Sequence, residues 1–294
     1  MSSSPRSEVA LDEATVRSLL EQQGVDRCDE PLRRLDEGWD NELWRLGDRR
    51  LVRLPRRSAS AQLQRVEQRW LPTLAENLPI PISAPLFCGQ PSEIFPWVWS
   101  VVPYFAGTPA SLELPIAPST PDRLGEFLVE LHRPAPSGAP TSPYRGVPLD
   151  DRDARVRECL RSDALTLDAE SLAKSWEAVL TTPRWEGPAV WVHGDLHPSN
   201  IVVRDGRIVA IIDFGDLCAG DPAVDLAVGW MLFDSVRRES FRRCLGVDDA
   251  TWRRGAGWAI TLGLMLHAEC TDRPELVAAG TRALTAVMAD PLLR

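Results

Sequence analysis

The run "NIVVRDGRIVAIID", residues 200 to 213, constrains the fold more than any other stretch of this 294-residue chain. Two apolar segments rich in β-branched residues flank Asp205-Gly206, a dipeptide that signals a tight two-residue hairpin turn because both positions tolerate positive φ. An antiparallel hairpin brings its outer ends together. The chain leading into it, "VWVHGDLHPSN", carries His193, Asp195, His197 and Asn200, and the chain leaving it carries Asp213. Two carboxylates and an amide oxygen therefore face one small volume. Hard oxygen donors of this kind suit Mg²⁺, which keeps several waters and takes further ligands from phosphate oxygens. A hydroxyl attacking phosphorus needs positioning, a carboxylate to accept its proton and a metal to neutralise phosphate charge, and Asp195, Asn200 and Asp213 supply those parts.

The rest of the chain divides around this hairpin. Residues 12 to 23 read as a helix capped by Asp12, with Val16, Leu19 and Leu20 as its apolar stripe. Short strand-like pieces follow at 32 to 37, 42 to 46 and 50 to 54, separated by "GWDN" and "GDR". A helical pattern through Leu63, Val66, Trp70 and Leu74 comes next, with Pro72 expected to kink or end it. The run 95 to 105 reads as a strand and a connector. Helices are expected at 121 to 132, about 150 to 180, 222 to 234, 249 to 269 and 274 to 289, with a proline-rich loop at 133 to 148. This is an α+β chain. A β-rich part over residues 1–103 precedes a mainly helical part over 104–294 that contains the hairpin.

Composition excludes several classes. The formal charge is −9, most of it beyond residue 104, which disfavours nucleic acid and anionic membrane as partners and would suit a cationic small molecule. Glu269 and Asp272, near the end of a C-terminal helix, are candidates for contacting such a molecule, against ordinary surface solvation. The six cysteines are scattered, without a C-x-x-C pair, so neither a zinc site nor a disulfide framework is expected. No apolar leader or bilayer-length run is present, so the expected compartment is the cytoplasm. "SLAK" (171 to 174) matches S-x-x-K but lacks S-D-N and K-T-G companions and reads as helical surface.

"HGDLHPSN" followed by "IIDFGD", with eighteen residues from Asp195 to Asp213, matches the H-x-D-x-x-x-x-N and D-F-G pattern of kinases. With "GDPAVDLA" after them, and "GWDNELWRLGDRRLVRLPRR" in the front part, the chain resembles the aminoglycoside phosphotransferase family from about residue 30 to 290. The resemblance implies a protein-kinase-like two-lobed fold with a small antiparallel sheet in the N-lobe and a larger helical C-lobe. It implies transfer of the γ-phosphate of ATP or GTP, with Mg²⁺, to a hydroxyl of a small molecule. Asp195 would be the catalytic base, Asn200 and Asp213 metal ligands, and His193 a brace for the loop. His197 either contacts phosphate or packs the loop. Asp221 would hold the loop through backbone bonds, and Asp225, on an otherwise apolar helix, braces it or lines the acceptor pocket, the first being favoured.

One expected part is missing. Kinases hold the α- and β-phosphates with a lysine on the third strand, paired to a glutamate on the next helix. The only lysine here is Lys174, far away in sequence, and the strand reads "RLVRLP", which puts Arg53 in that place. Glu67 falls on or beside the apolar stripe of the following helix, where a lone carboxylate is costly unless paired. An Arg53–Glu67 pair answers that cost and aims a guanidinium at phosphates. No G-x-G-x-x-G covers the nucleotide. "EGWDNELW" takes that turn, so Gly38 and Asn41 are expected near the phosphates, and backbone around Val102 and Tyr104 is expected to read the purine edge.

The acceptor carries no motif. An antibiotic such as an aminoglycoside is the first expectation, a kinase of an ordinary hydroxylated metabolite (sugar, amino alcohol, homoserine) the alternative. A nucleotide-binding pseudokinase is a third reading, opposed by the intact Asp195, Asn200 and Asp213 set.

Overall fold

The computed structural model describes residues 6–35, 38–110 and 116–293. The first helix, α1 (Glu13–Gln22), begins where Asp12 accepts a hydrogen bond from the Thr15 N–H at 2.8 Å, and it buries Val16, Leu19 and Leu20. Strands β1 (Leu32–Arg34), β2 (Asn41–Leu46) and β3 (Arg50–Pro55) follow; the tail of the strand expected at 32 to 37, Asp36 and Glu37, lies outside the described residues, as do residues 1–5. Helix α2 (Ser58–Ala75) and strands β4 (Phe87–Gly89) and β5 (Trp99–Pro103) complete a five-stranded antiparallel sheet in the order β1-β2-β3-β5-β4. Alternation along β2 turns Trp44 and Leu46 inward onto Val52, Leu54, Trp99 and the apolar stripe of α1, forming one compact core.

Pro72 does not end α2. It sits in the last turn, where one missing N–H costs a single hydrogen bond, and the helix runs on to Ala75 with Leu71 buried beneath it.

The second core belongs to the remainder of the chain. Helix α3 (Thr120–Leu131) packs over it, and the helical stretch expected at about 150 to 180 is divided. A 3₁₀ turn at Leu149–Arg152 leads into α4 (Asp153–Leu160), and α5 (Ala169–Leu180) starts afresh at Asp168, whose carboxylate accepts from the N–H groups of Glu170 and Ser171. An aspartate that caps a new helix cannot also lie inside an old one. Strand β7 (Val190–Val192) pairs with β10 (Cys218–Gly220), and β8 (Ile201–Arg204) pairs with β9 (Arg207–Ile211) while β6 (Thr108–Pro109) flanks β8. The expected hairpin is present, with φ of +52° at Asp205 and +72° at Gly206.

The helix expected at 222 to 234 forms as two short pieces, α6 (Ala223–Leu226) and α7 (Val228–Leu232). Helix α8 (Ser235–Leu245) was not anticipated, because "SVRRESFRRCL" carries only a thin apolar stripe; Asp234 caps its start and Gly246, at φ +63°, ends it. Helices α9 (Asp249–Glu269) and α10 (Pro274–Met288) close the fold. Most tryptophans are structural: Trp99, Trp176, Trp230 and Trp258 are fully buried, whereas Trp39 is exposed. Among the described residues no helix is long and apolar enough to cross a membrane.

A side chain at the second turn position must carry a Cβ at positive φ, which costs about 1–2 kcal/mol. Gly206→Val should therefore lower the urea midpoint clearly, and Gly206→Asn much less; equal midpoints for the two variants would contradict the turn geometry.

Candidate active site

The segment between β7 and β8 is held from below by one carboxylate. Asp225, on α6, has no solvent exposure and accepts hydrogen bonds from the backbone N–H of His193 (2.8 Å), the backbone N–H of Gly194 (2.9 Å) and Nε2 of His132 (3.0 Å). The His193 ring donates from Nε2 to the Ile212 carbonyl at 3.0 Å and lies against Phe214. That bond leaves Nδ1 as acceptor for the Asp195 N–H, at 3.3 Å. Gly194 is at φ +82°, and a Cβ there would stand 2.5 Å from the Asp216 carbonyl oxygen, so only glycine lets the two loops meet. Asp221 accepts from the Ala223 N–H and pairs with Arg254 at 2.7 Å, fixing the chain after β10.

These supports present Asp195 beside Asn200 and Asp213. The Asn200 amide nitrogen donates to the Asp195 carbonyl at 3.0 Å, which leaves its Oδ1 available as a ligand. Asp213 adopts φ +64°, an uncommon conformation for a residue with a side chain, and its carboxylate is 60 % exposed. An amide oxygen and an exposed carboxylate are hard donors that fit a divalent cation such as Mg²⁺, provided phosphate oxygens and water complete the shell. Among the described residues no group of three or more His, Cys, Asp and Glu is placed to hold a metal alone. His197 is buried with Nε2 3.5 Å from Asp195 Oδ2 and its Nδ1 unpartnered.

Arg53 and Glu67 do meet. Register pairs Arg53 with Leu43 on β2 and Ser100 on β5, which turns its side chain under α2, where Nη1 lies 3.0 Å from Glu67 Oε2. Its Nη2 is 4.0 Å from Asp213 Oδ1, so the guanidinium bridges the sheet to the far end of the hairpin. Burial opposes the Arg53 charge, but the carboxylates of Glu67, Asp213 and Asp40 outweigh it and raise the pKa.

Above this pair lies a cavity of about 270 Å³. Its lining includes Gly38, Asn41, Arg53, Val102, Tyr104 and Asp213, so it gathers the residues expected around a nucleotide from both sides of the cleft. Tyr104 is less free than expected. Its N–H donates to the Arg49 carbonyl at 2.7 Å and its ring lies under the Arg45 guanidinium, so it forms a wall and cannot offer that N–H to a base. Two buried acceptors in the lining, Asn41 Oδ1 and Ser83 Oγ, have no hydrogen-bond partner, which a bound polar ligand would supply. A larger groove of about 910 Å³ runs past Arg27, Glu30, Arg45 and Arg50 at the turn between β2 and β3; Glu30 there already pairs with Arg27 and Arg50, and neither Asp195, Asn200 nor Asp213 lines it.

Several residues here escaped the sequence. Arg145, in the proline-rich loop, sends Nη2 to Asp195 Oδ1 and Nε to Asp216 Oδ2, both at 3.1 Å. The loop is pinned to β10 by bonds from the Ala219 N–H to Pro140 and from the Asp221 N–H to Gly146. Burial works to raise the Asp195 pKa, but the Arg145 guanidinium, and then His197, hold it below the usual carboxylate range. Asp216 moves the other way, raised by burial despite Arg145 and further by its acidic neighbours Asp195 and Asp213. Arg273, at the start of α10, lines the cavity beside Arg53. None of these positions has a spacing that marks it; fifty residues and a loop separate Arg145 from Asp195. Of the two acids expected to meet a cationic acceptor, Glu269 is already paired with Arg155, and Asp272 lies in the turn between α9 and α10 next to Arg273.

Comparison with known proteins gives a consistent answer. The model of the phosphotransferase enzyme family matches residues 31–258. No curated protein matches the chain in sequence. Among solved structures, the GDP and kanamycin complex of APH(2")-IIia superposes with a TM-score of 0.70 at 19 % identity, covering 95 % of this chain and 100 % of that one. The macrolide 2'-phosphotransferase MphH from Brachybacterium faecium, as apoenzyme, gives 0.63 at 24 % identity, covering 92 % and 97 %. ADP-bound aminoglycoside phosphotransferase APH(2'')-Ib gives 0.61 at 19 % identity, covering 94 % and 98 %. At these identities the likeness shows the kinase-like two-lobed α+β fold.

Truncating one partner of a buried ion pair strands the other, which costs about 3 kcal/mol. Arg53→Ala should lower the denaturation midpoint accordingly and weaken nucleotide binding in calorimetry, with Arg53→Lys intermediate; unchanged binding would remove Arg53 from the site. The Arg145 guanidinium and His197 hold the Asp195 pKa below the usual carboxylate range despite burial, so removing Arg145 should let it rise. Arg145→Met should move the acid limb of kcat/KM up by about one pH unit, read from a pH–rate profile.

Proposed function

The chain belongs to the phosphotransferase enzyme family, the one its catalytic segment resembles, and on that premise we propose that it moves the γ-phosphate of ATP or GTP to a hydroxyl of a small molecule. The observation that carries the proposal is the convergence of Asp195, Asn200 and Asp213 beneath a cavity that also contains Arg53. GDP- and ADP-bound neighbours support a nucleoside triphosphate as donor.

In this reading residues 1–103 form the nucleotide-binding lobe and 104–294 the lobe that holds the catalytic segment and acceptor. The purine rests against Val102 and Tyr104, Asn41 and Ser83 give it or its sugar polar contacts, and Arg53 and Arg273 lie toward the phosphates. Mg²⁺ on Asn200 and Asp213 would neutralise phosphate charge. The acceptor oxygen attacks the γ-phosphorus, the bond from γ-phosphorus to the bridging oxygen of the diphosphate breaks, and Asp195 takes the hydroxyl proton. Arg145 orients Asp195 by occupying Oδ1, so Oδ2, beside His197, faces the hydroxyl. The depressed pKa makes Asp195 a weak base, which suits a loose transition state in which the proton leaves late and positioning dominates. A cytoplasmic setting, where nucleoside triphosphates are plentiful, fits this reaction.

For the acceptor, the solved neighbours support an antibiotic, since one binds kanamycin and another is a macrolide phosphotransferase. The charges beside Asp195 support the alternative, an ordinary hydroxylated metabolite: Arg145 faces the acceptor side, and Arg155 already occupies Glu269.

Asp195→Asn should cut acceptor-dependent release of nucleoside diphosphate by about 10²–10⁴-fold while nucleotide still binds. Retained turnover would refute the assignment. Nucleotide binding without any turnover in the parent protein would favour a pseudokinase.

A further inference from the structure

Beyond the two guanidinium groups that face carboxylates, the acceptor side holds a third that faces none. Arg152 ends the 3₁₀ turn before α4 and is only 8 % exposed. Its Nε is buried without a hydrogen-bond partner, and no carboxylate pairs with it among the described residues. Its neighbours are the Tyr144 ring, 5.7 Å from the guanidinium carbon, and two further cations, Arg145 and Arg155. Arg145 is neutralised by Asp195 and Asp216, and Arg155 by Glu269 and Glu158. Arg152 is the member of the cluster whose charge nothing balances. Burial, and then the charges of Arg145 and Arg155, lower its pKa.

A largely buried cation without a counter-ion is costly, and an oxyanion on a ligand would supply the missing charge. The location identifies that ligand. Arg145 touches Asp195 directly and also approaches Met265 Sδ on α9, while Tyr144 is largely exposed. Arg152 is thus one residue removed from the catalytic carboxylate, on the acceptor side and away from the cavity that Arg53 and Arg273 share. We propose that the acceptor is a hydroxylated compound bearing an oxyanion, a carboxylate or phosphate monoester, which Arg152 binds while Asp195 receives the hydroxyl proton. This rests on the phosphotransfer reading given above and names its substrate class. A planar fork of N–H donors matches either oxyanion, and a cationic group placed against Arg152 would meet a like charge that no carboxylate offsets.

The test uses the full chain with ATP and GTP and follows nucleoside diphosphate release with gluconate, glucose 6-phosphate, glucose and kanamycin as acceptors. Gluconate or glucose 6-phosphate is expected to surpass glucose by at least about tenfold in kcat/KM, the worth of one charge-assisted hydrogen bond. Arg152→Gln should erase that preference by raising KM for the anionic acceptor, and Arg152→Lys should restore part of it. Comparison of gluconate with glucose 6-phosphate separates the two oxyanions. Kanamycin as the best acceptor, glucose equal to its anionic counterparts, or a preference that survives Arg152→Gln would each overturn the proposal.

A binding measurement decides the matter if no acceptor on the panel turns over. Gluconate or inorganic phosphate should raise the melting midpoint of the parent protein and not that of Arg152→Gln, and the absence of such a difference overturns the proposal. Without ligand, Arg152→Gln should melt no lower than the parent, because it removes an uncompensated buried charge. Failure of phosphotransfer itself looks different: no acceptor then promotes nucleotide consumption, whether or not nucleotide binds, and whatever Arg152 does with anions.

Discussion

The catalytic arrangement depends on Asp225. A carboxylate with no solvent contact is costly to bury, and this one is stable because it receives two backbone N–H groups from adjacent residues and a histidine nitrogen from another helix. Its two oxygens bind consecutive residues, His193 and Gly194, so the backbone immediately before Asp195 has one permitted path. His193 then reaches across to Ile212, next to Asp213, and links the two ends of the hairpin. Remove the Asp225 carboxylate and the two ends that carry Asp195, Asn200 and Asp213 lose their common reference.

Upon this brace the site separates charge into two compartments. On the cavity side Arg53 is paired with Glu67 yet remains within 4.0 Å of Asp213, so an anion approaching Asp213 would meet a fixed cation. On the acceptor side Arg145 divides itself between Asp195 and Asp216. That sharing has a consequence for the pair of acids. Two carboxylates close together oppose each other's ionisation, and a guanidinium between them lets Asp195 stay charged while Asp216 takes the upward shift. The fork therefore assigns different protonation tendencies to two chemically identical groups.

How much of this was legible in the sequence follows from the distance over which each interaction acts. The hairpin, α1 with its Asp12 cap, and the division into β-rich and helical parts are encoded in neighbouring residues, and they formed as expected. The Arg53–Glu67 contact was readable because a carboxylate on an apolar stripe demands a partner and the adjacent strand offered one. Local preference misled where capping intervened, at Asp168 between α4 and α5, and where a polar surface helix gave little periodicity, as in α8. Arg145, Arg152 and Arg273 were illegible. Each sits in a loop or at a helix end, where position is set by tertiary contacts such as the bonds of residues 140 and 146 to the β10 region.

Substituting arginine for lysine at the third strand also changes what the site can tolerate. A lysine offers one compact charge that can follow a moving phosphate, whereas Arg53 is planar and already committed to Glu67 through one nitrogen. Only the remaining edge of the fork, the one nearest Asp213, is free to meet a ligand. In the proposed reaction the approach of the phosphates would be narrowed to the gap between Arg53 and Asp213. The same logic applies across the cleft, where Arg145 gives Nε and Nη2 to two carboxylates and keeps only Nη1, which lies 3.9 Å from Met265 Sδ. With Arg53 restricted and the Arg145 charge already matched by two carboxylates, a further anion would be recognised by a guanidinium that no carboxylate has claimed, and Arg152 is the buried one near Arg145, the partner of Asp195.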